Sequence, residues 1–499
     1  MSDTTQLAAP TQDAAAHDAA AGTAIDARNK LVISLLLVST FVVILNETIM
    51  GVALPKLILA FHIDASAAQW LSAGFMLTMA VVIPITGFLL QRFNTRPLFI
   101  AAMTFFSLGT LIAAIAPGFE VLLVARIVQA CGTAIMFPLL LTTVMTLVAP
   151  ASRGRTMGNI SIVISVAPAI GPTISGVILS ILDWRFMFIL VLPIAVAALI
   201  VGAVRMKNVT TPSRTHFDVF SVILSAFGFG GLVYGLSNLG AATPDTIVVE
   251  AFVPLAVGVV ALIVFVLRQI ALERVDSALL DLRTFASRTF TFSIIMFTVS
   301  MMAFFGTIIV LPIYMQTVLG IQPLSTGLLL LPGGLIMGLL SPVIGRIYDR
   351  SGPTALLVTG AVITSGVLWG MTMLTAESSF WWVLAAHVSL SIGLALLFTP
   401  LFTASLASLK PSLYSHGSAI VGTIQQVAGA AGTALLVTVL TAEKTHALAQ
   451  GASTVEATAT GIHSAFLYAA IISLLAIPAA FFVRRTIDAP TGGDAPPAH

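Results

Sequence analysis

Fourteen stretches of this chain, each of about twenty mainly apolar residues or more, decide what it folds into. They lie near 31–54, 68–90, 97–117, 120–148, 157–181, 185–206, 217–239, 249–268, 290–315, 325–346, 354–375, 380–408, 416–440 and 463–483. A helix of that length crosses the hydrocarbon core of a bilayer, where no water is at hand for backbone amides and carbonyls. Each run must therefore satisfy them internally as an α-helix. The expected fold is all-α, a polytopic membrane protein of fourteen transmembrane helices. Charged residues make up 8% of the chain and hydrophobic ones 58%, where a soluble domain carries about 25% charged residues.

The loop charges test this reading, because Lys and Arg concentrate on the cytoplasmic side of membrane proteins. With the N-terminus placed inside, the segments of that side hold eighteen of the 22 basic residues, from Arg28 to Arg485. The other side holds Lys56, Arg185 and Lys444, and Arg126 falls within a span. Both termini are thus expected in the cytoplasm and the chain in the cell (plasma) membrane. Residues 1–29 carry Asp3, Asp13, Asp18 and Asp26 and few large apolar side chains. They lack the basic start and apolar core of a secretory signal and read, like 486–499, as a disordered cytoplasmic tail.

Several function classes drop out at this point. A net charge of +2 spread over scattered basic residues offers no nucleic-acid surface. The single cysteine, Cys131, excludes a disulfide framework and a thiolate metal cluster. No phosphate-binding loop and no cluster of nucleophile, base or metal ligands is present, so neither a cofactor, a metal nor an enzyme is expected.

The chain also repeats itself. Pro84, Gly87 and Arg92 recur 258 residues later as Pro342, Gly345 and Arg350. Residues 30–208 and 276–485 are then two equivalent six-helix bundles, with two further helices inserted at 209–275. Parallel repeats with a substrate site between them are a secondary-transporter architecture.

Away from the ends of the spans, Glu47 and Arg126 are the two charged side chains. Ionisable groups in hydrocarbon cost about 2.5–3.5 kcal/mol each at a helix centre and usually mark a pathway or relay. Both lie about 9–12 Å from the same ends of their helices at 1.5 Å per residue. They are expected to share a depth, with Glu47 taking up a proton and Arg126 tuning its release, or else to form a permanent ion pair locking two helices.

Four motifs carry a resemblance. The turn Gly87-Phe-Leu-Leu-Gln-Arg92 and its partner Gly345-Arg-Ile-Tyr-Asp349-Arg350 resemble the loop signature of the major facilitator superfamily, with Gln91 where that pattern has an aspartate. Their glycines permit close helix approach, and their arginines are expected to reach an acid or a helix end on the neighbouring bundle. The stretch Ala167-Pro168-Ala-Ile-Gly171-Pro172-Thr-Ile-Ser-Gly176 is similar to the antiporter motif of proton-coupled exporters, and close packing of it against the second bundle is expected. Leu45-Asn46-Glu47-Thr48 leading to Pro55 resembles the first helix of the fourteen-span drug:proton antiporters of EmrB/QacA type. Their usual aspartate is asparagine in the lincomycin-resistance branch, as it is here. Arg126-Ile-Val-Gln129, Trp184-Arg185, Leu311-Pro-Ile-Tyr314-Met-Gln316 and Leu331-Pro-Gly-Gly334 follow in matching order.

The resemblance implies a proton-coupled exporter of lipophilic or cationic small molecules, drugs or antibiotics among them, working as a monomer without a cofactor. Export of an endogenous lipid or metabolite by the same mechanism stays open. Substrate-lining candidates are Asn46, Gln129, Phe304, Phe305, Tyr314, Gln316 and Gln425. His387, His416 and His463 lie in or beside spans without metal-ligand spacing and read as hydrogen-bonded structural groups.

Overall fold

The computed structural model describes residues 12–63, 65–209, 212, 218–239 and 246–484. Among them fourteen helices are long and apolar enough to cross a membrane, and no residue is in a strand. The first six are α1 (Gln12–Phe61), α2 (Ala65–Arg92), α3 (Thr95–Ala114), α4 (Phe119–Leu147), α5 (Arg153–Ile181) and α6 (Phe186–Arg205). Two follow, α7 (Val219–Leu239) and α8 (Val253–Glu273). The last six are α9 (Arg288–Ile313), α10 (Pro323–Ser351), α11 (Thr354–Met371), α12 (Phe380–Ala407), α13 (Tyr414–Ala449) and α14 (Thr454–Ser473).

Each apolar run is one helix, and the ends differ where polar residues take part. Helix α14 starts well before its apolar run because Ser453 and Glu456 cap each other's backbone amides, satisfying two donors that a helix start leaves open. The tail expected over 1–29 is helical from Gln12 onward. Residues 12–29 hold eight alanines, the best helix former, so the ladder of α1 extends without needing to bury a face. Residues 1–11 and the expected tail at 486–499 lie outside the described residues.

Within the first six helices α3 packs on α4 and α6, and α1 on α4, α5 and α6; within the last six, α11 packs on α12 and α14, and α9 on α12 and α13. Contacts between the two sets run through α5 with α10 and α12, and through α13 with α2 and α4. Helices α7 and α8 pair closely, with the α8 backbone against Gly231 and Gly235. Helix α7 then lies over the junction of the two sets, where Val233 packs between Ala80 of α2 and Ala430 of α13 and Tyr234 meets Trp70 at 5.5 Å. Asp218 receives Arg268 at 2.8 and 3.0 Å, tying the start of α7 to the end of α8. The hydrogen bonds from Arg268, helped by Ser221 and opposed by partial burial, bring the Asp218 carboxyl down to about 2.

Candidate functional site

Arg126 lies 1% exposed on α4, seven residues into the helix. Its Nη1 donates to Asn46 Oδ1 and Gln129 Oε1, both at 3.0 Å, and its Nε to the Leu71 carbonyl at 3.4 Å. The guanidinium also stacks over Phe75, 4.1 Å from the ring centroid. Gln129 passes the chain on to Thr110 of α3 at 2.8 Å. Hydrogen bonds to a charged group contribute about 1.5–3 kcal/mol each, and a cation over a desolvated ring adds about 2 kcal/mol. Neutral oxygens and one ring thus hold a buried cation that water cannot reach. Helices α1, α2 and α4 meet on it, and α3 joins through Gln129.

Of the two arrangements open to Glu47 and Arg126, the permanent ion pair is not formed. No carboxylate of the described residues lies within 4.0 Å of Arg126, and the acceptor is the neighbouring Asn46. One residue along a helix turns the side chain by about 100°, so Asn46 faces α4 while Glu47 is turned aside and half-buried. The two charges remain close enough to feel one another. Asn46, Arg126 and Gln129 are therefore brought together, with Glu47 beside them. Leu71, Phe75 and Thr110 escaped sequence reasoning because nothing separates them from other lining residues of α2 and α3.

The junction between the halves is tightest along α5 and α10. A Cβ added at Gly154 would overlap Asp349 and the Gly345 carbonyl, and one at Gly345 would overlap the backbone of Gly154. One at Gly158 would lie 2.5 Å from the Ser341 carbonyl, and those at Gly338 and Gly334 would overlap Val166 and Ala169. On α5 these contacts fall at 154, 158, 166 and 169, a single helical face. The expectation that Gly171 packs on the second bundle is corrected: its neighbour is Thr48 of α1, and Ser175 donates to the Ile49 carbonyl at 3.0 Å. Two residues beyond Ala169 means a turn of about 200°, which aims Gly171 away from α10. Gly176 has open space around it. Pro168 and Pro172, which lack backbone donors, bracket this change of partner.

The loop motif also acts through different residues than expected. Arg92 and Arg350 are exposed. The residue before each makes the bond across the junction. Asp349 accepts the backbone amides of Gly154 and Arg155 at 2.8 Å each, so a carboxylate from α10 caps the first turn of α5. An acid there meets both open donors and the positive end of the helix dipole. At the repeat-related place, Gln91 contacts His416 at 2.7 Å and donates to the Ser412 carbonyl at 3.3 Å, beside the start of α13. Gly87 abuts Ala419 and His416, as a close approach of α2 and α13 requires.

The remaining candidates divide. Phe304 and Phe305 are half-buried on α9; Phe304 meets Phe398 at 5.9 Å, and Phe305 covers Gly429. The Oε1 of Gln425 is buried without a hydrogen-bond partner. Tyr314 is fully buried and its hydroxyl donates to the Thr375 carbonyl at 2.6 Å, an anchor between helices. Gln316 is exposed. His463 bonds the Thr372 carbonyl at 2.6 Å, and the buried His416 accepts from the Asp281 amide at 3.3 Å. Among the described residues no cluster of three or more potential metal ligands occurs.

Comparison with known proteins agrees with this architecture. The family model described as Major Facilitator Superfamily matches residues 36–433. The chain is 39% identical over 461 residues to the lincomycin resistance protein LmrB of Bacillus subtilis (strain 168), covering 91% of this chain and 95% of that one. It is 41% identical over 458 residues to the uncharacterized MFS-type transporter YcnB of the same organism, again covering 91% and 95%. Among solved structures, the human organic anion transporter MFSD10 (TETRAN) superposes with a TM-score of 0.67 at 13% identity, over 91% of this chain and 99% of that one, a likeness of fold. A fourteen-helix bundle with an internal repeat, a buried cation between its first four helices and relatives of this closeness identify the chain as a member of the Major Facilitator Superfamily, a multi-pass membrane transporter and not an enzyme.

Proposed function

We propose that this transporter exports lipophilic or cationic drugs, lincomycin-like antibiotics among them, in exchange for protons entering the cell. The observation that carries this reading is Glu47, an ionisable carboxyl within a span, half-buried and without an ion-pair partner, beside the caged Arg126. Names of relatives support the substrate class: lincomycin resistance proteins, and a multidrug resistance protein B homolog of Mycobacterium tuberculosis.

The basic loops lie in the cytoplasm with both termini. Residues 30–208 and 276–485 rock against each other as two bundles, the pair at 209–275 rides on their junction, and the protein works as a monomer. In this reading the tight α5–α10 contacts at the basic end close the inner side, and the looser far end is the one that opens to the outside. Thr48 abuts Gly171, just beyond the last tight contact of α5 with α10, so Glu47 stands where the two bundles part. An external proton neutralises it as the drug leaves, and the neutral acid is cheaper to bury when the outer end closes. Opening inward lets the proton go. Arg126 favours that release, because a nearby cation stabilises the carboxylate.

Glu47→Gln tests this. In proteoliposomes the variant should bind radiolabelled lincomycin within about twofold of wild type yet lose accumulation driven by a pH gradient at least tenfold, whereas Glu47→Asp keeps part of it. Gradient-driven accumulation by Glu47→Gln at the wild-type rate would remove Glu47 from the coupling.

A further inference from the structure

The repeat gives Arg126 a counterpart that the reading above does not use. Helices α4 and α12 start at Phe119 and Phe380, so Arg126 and His387 each lie seven residues in, about 10 Å along the helix. Six residues further on, Gly132 and Gly393 occupy the same register, and each presses its helix on a neighbour, α3 and α11 respectively. The bonds repeat as well. Arg126 donates to the carbonyl of Leu71 on α2, and His387 Nε2 lies 3.1 Å from the carbonyl of Leu330 on α10. A carbonyl only accepts, so Nε2 carries the proton and Nδ1 keeps its lone pair.

What differs is the second bond. Arg126 reaches Asn46 of α1, but the corresponding stretch of α9 is Ala303-Phe304-Phe305, with no polar side chain. His387 Nδ1 is buried with no hydrogen-bond partner. The ring lies against Gly333, where an added Cβ would overlap its Nε2. The Leu331-Pro-Gly-Gly334 motif thus keeps a place for an imidazole.

We propose that His387 Nδ1 is a second proton-binding site of the carrier, in the half opposite Glu47; this rests on the proton-coupled reading above. A hydronium ion reaching the ring during the cycle gives its proton to the Nδ1 lone pair and leaves as water, while Nε2–H stays on Leu330. No charge at this depth opposes or fixes that step. Helix α10 from Pro323 to Ser341, α11 throughout and α5 from Met157 to Ile181 have no titratable side chain. Their other ionisable groups, Arg153 and Arg155 of α5 and Arg346, Tyr348, Asp349 and Arg350 of α10, lie at the basic end. Helix α9 offers Arg288 at its start and Tyr314 just past its end, the latter bonded to Thr375. On α13, Tyr414 and His416 lie at one end and Glu443, Lys444 and His446 at the other.

Ring-nitrogen NMR of the full chain in lipid nanodiscs, labelled at its eight histidines, tests the site without any substrate. The His387 signal is assigned by its loss in His387→Asn, or by its displacement in Gly333→Ala if the first variant does not fold. Nδ1 should pass from bare to protonated between about pH 5 and pH 8, the range in which imidazoles change charge. An Nε2–H neutral ring throughout that range overturns the proposal. In proteoliposomes, His387→Asn should also lower pH-gradient-driven lincomycin accumulation at least fivefold with binding unchanged. Wild type that ignores the gradient would break the coupled-export reading instead and leave the titration result standing.

Discussion

The two ends of the α5–α10 junction are built from the same residue types and do opposite things. At the basic end Gly154, Gly158 and Gly345 bring backbone onto backbone, and Asp349 caps the helix it presses against. Toward the other end Gly176 and Gly327 have nothing within 4 Å of an added Cβ. In lipid, where apolar side chains gain nothing by leaving hydrocarbon for one another, helices associate through close packing and hydrogen bonds. The basic end has both, and the far end has neither. A glycine is thus a contact in one place and a gap in the other, and only its neighbour tells which.

The largest expected effect breaks this contrast directly. Gly345→Leu must displace the Gly154 backbone; overpacking of about 3 kcal/mol shifts an equilibrium about 100-fold. Transport should fall by that order, and a cysteine at Ser161, buried under Thr399 at 2.9 Å, should become reactive from the basic side in a Cys131→Ser background. Gly176→Leu should stay within about twofold of wild type, as surface changes do. Equal losses from the two would mean that the far end closes as tightly in the working cycle.

Asp349→Asn sharpens the comparison by removing charge without volume. One carboxylate at a helix start contributes about 0.3–1 kcal/mol, so labelling at the Ser161 site should rise roughly two- to fivefold. No change would make the seal purely steric. The neutral Gln91 makes the repeat-related contact to His416, and Gln91→Ala should move labelling less than Asp349→Asn.

The smallest effect concerns the inserted pair, whose clamp also lies at the basic end. Asp218 has its carboxyl held near 2, below the ordinary 3.8, first by the hydrogen bonds from Arg268. A depressed acid stabilises the folded state above its ordinary value and loses that contribution as pH falls through the folded one. Hydrogen exchange at Leu279 and Leu280, whose amides bond Gln269 next to Arg268, should therefore quicken between about pH 4 and pH 2 in wild type and not in Asp218→Asn. The change should stay below about 1 kcal/mol, because the pair is partly exposed and screened. A flat wild-type profile would release Asp218 from the clamp.

Much of the molecule is legible in residue order. Fourteen apolar runs became fourteen helices because lipid leaves the backbone no alternative. Glu47 and Arg126 stood out because charge in a span is costly, and the recurrence of Pro84, Gly87 and Arg92 gave the repeat that later paired Arg126 with His387. Three partnerships came only with the structure: Asn46 receives Arg126, which sets aside the ion-pair alternative for Glu47, Gly171 packs on α1 rather than on the second bundle, and Gln91 and Asp349 rather than the arginines cross the junction.

All three share a cause. The sequence by itself determined how far along its helix each side chain lies, since position counts at about 1.5 Å per residue. Which way the side chain faces turns by about 100° with each residue, and its partner depends on how neighbouring helices are rotated and tilted. Packing of whole helices settles that rotation. Tertiary structure alone therefore decided that Asn46 meets the guanidinium, that Gly154 meets Gly345, and that His387 keeps a free nitrogen.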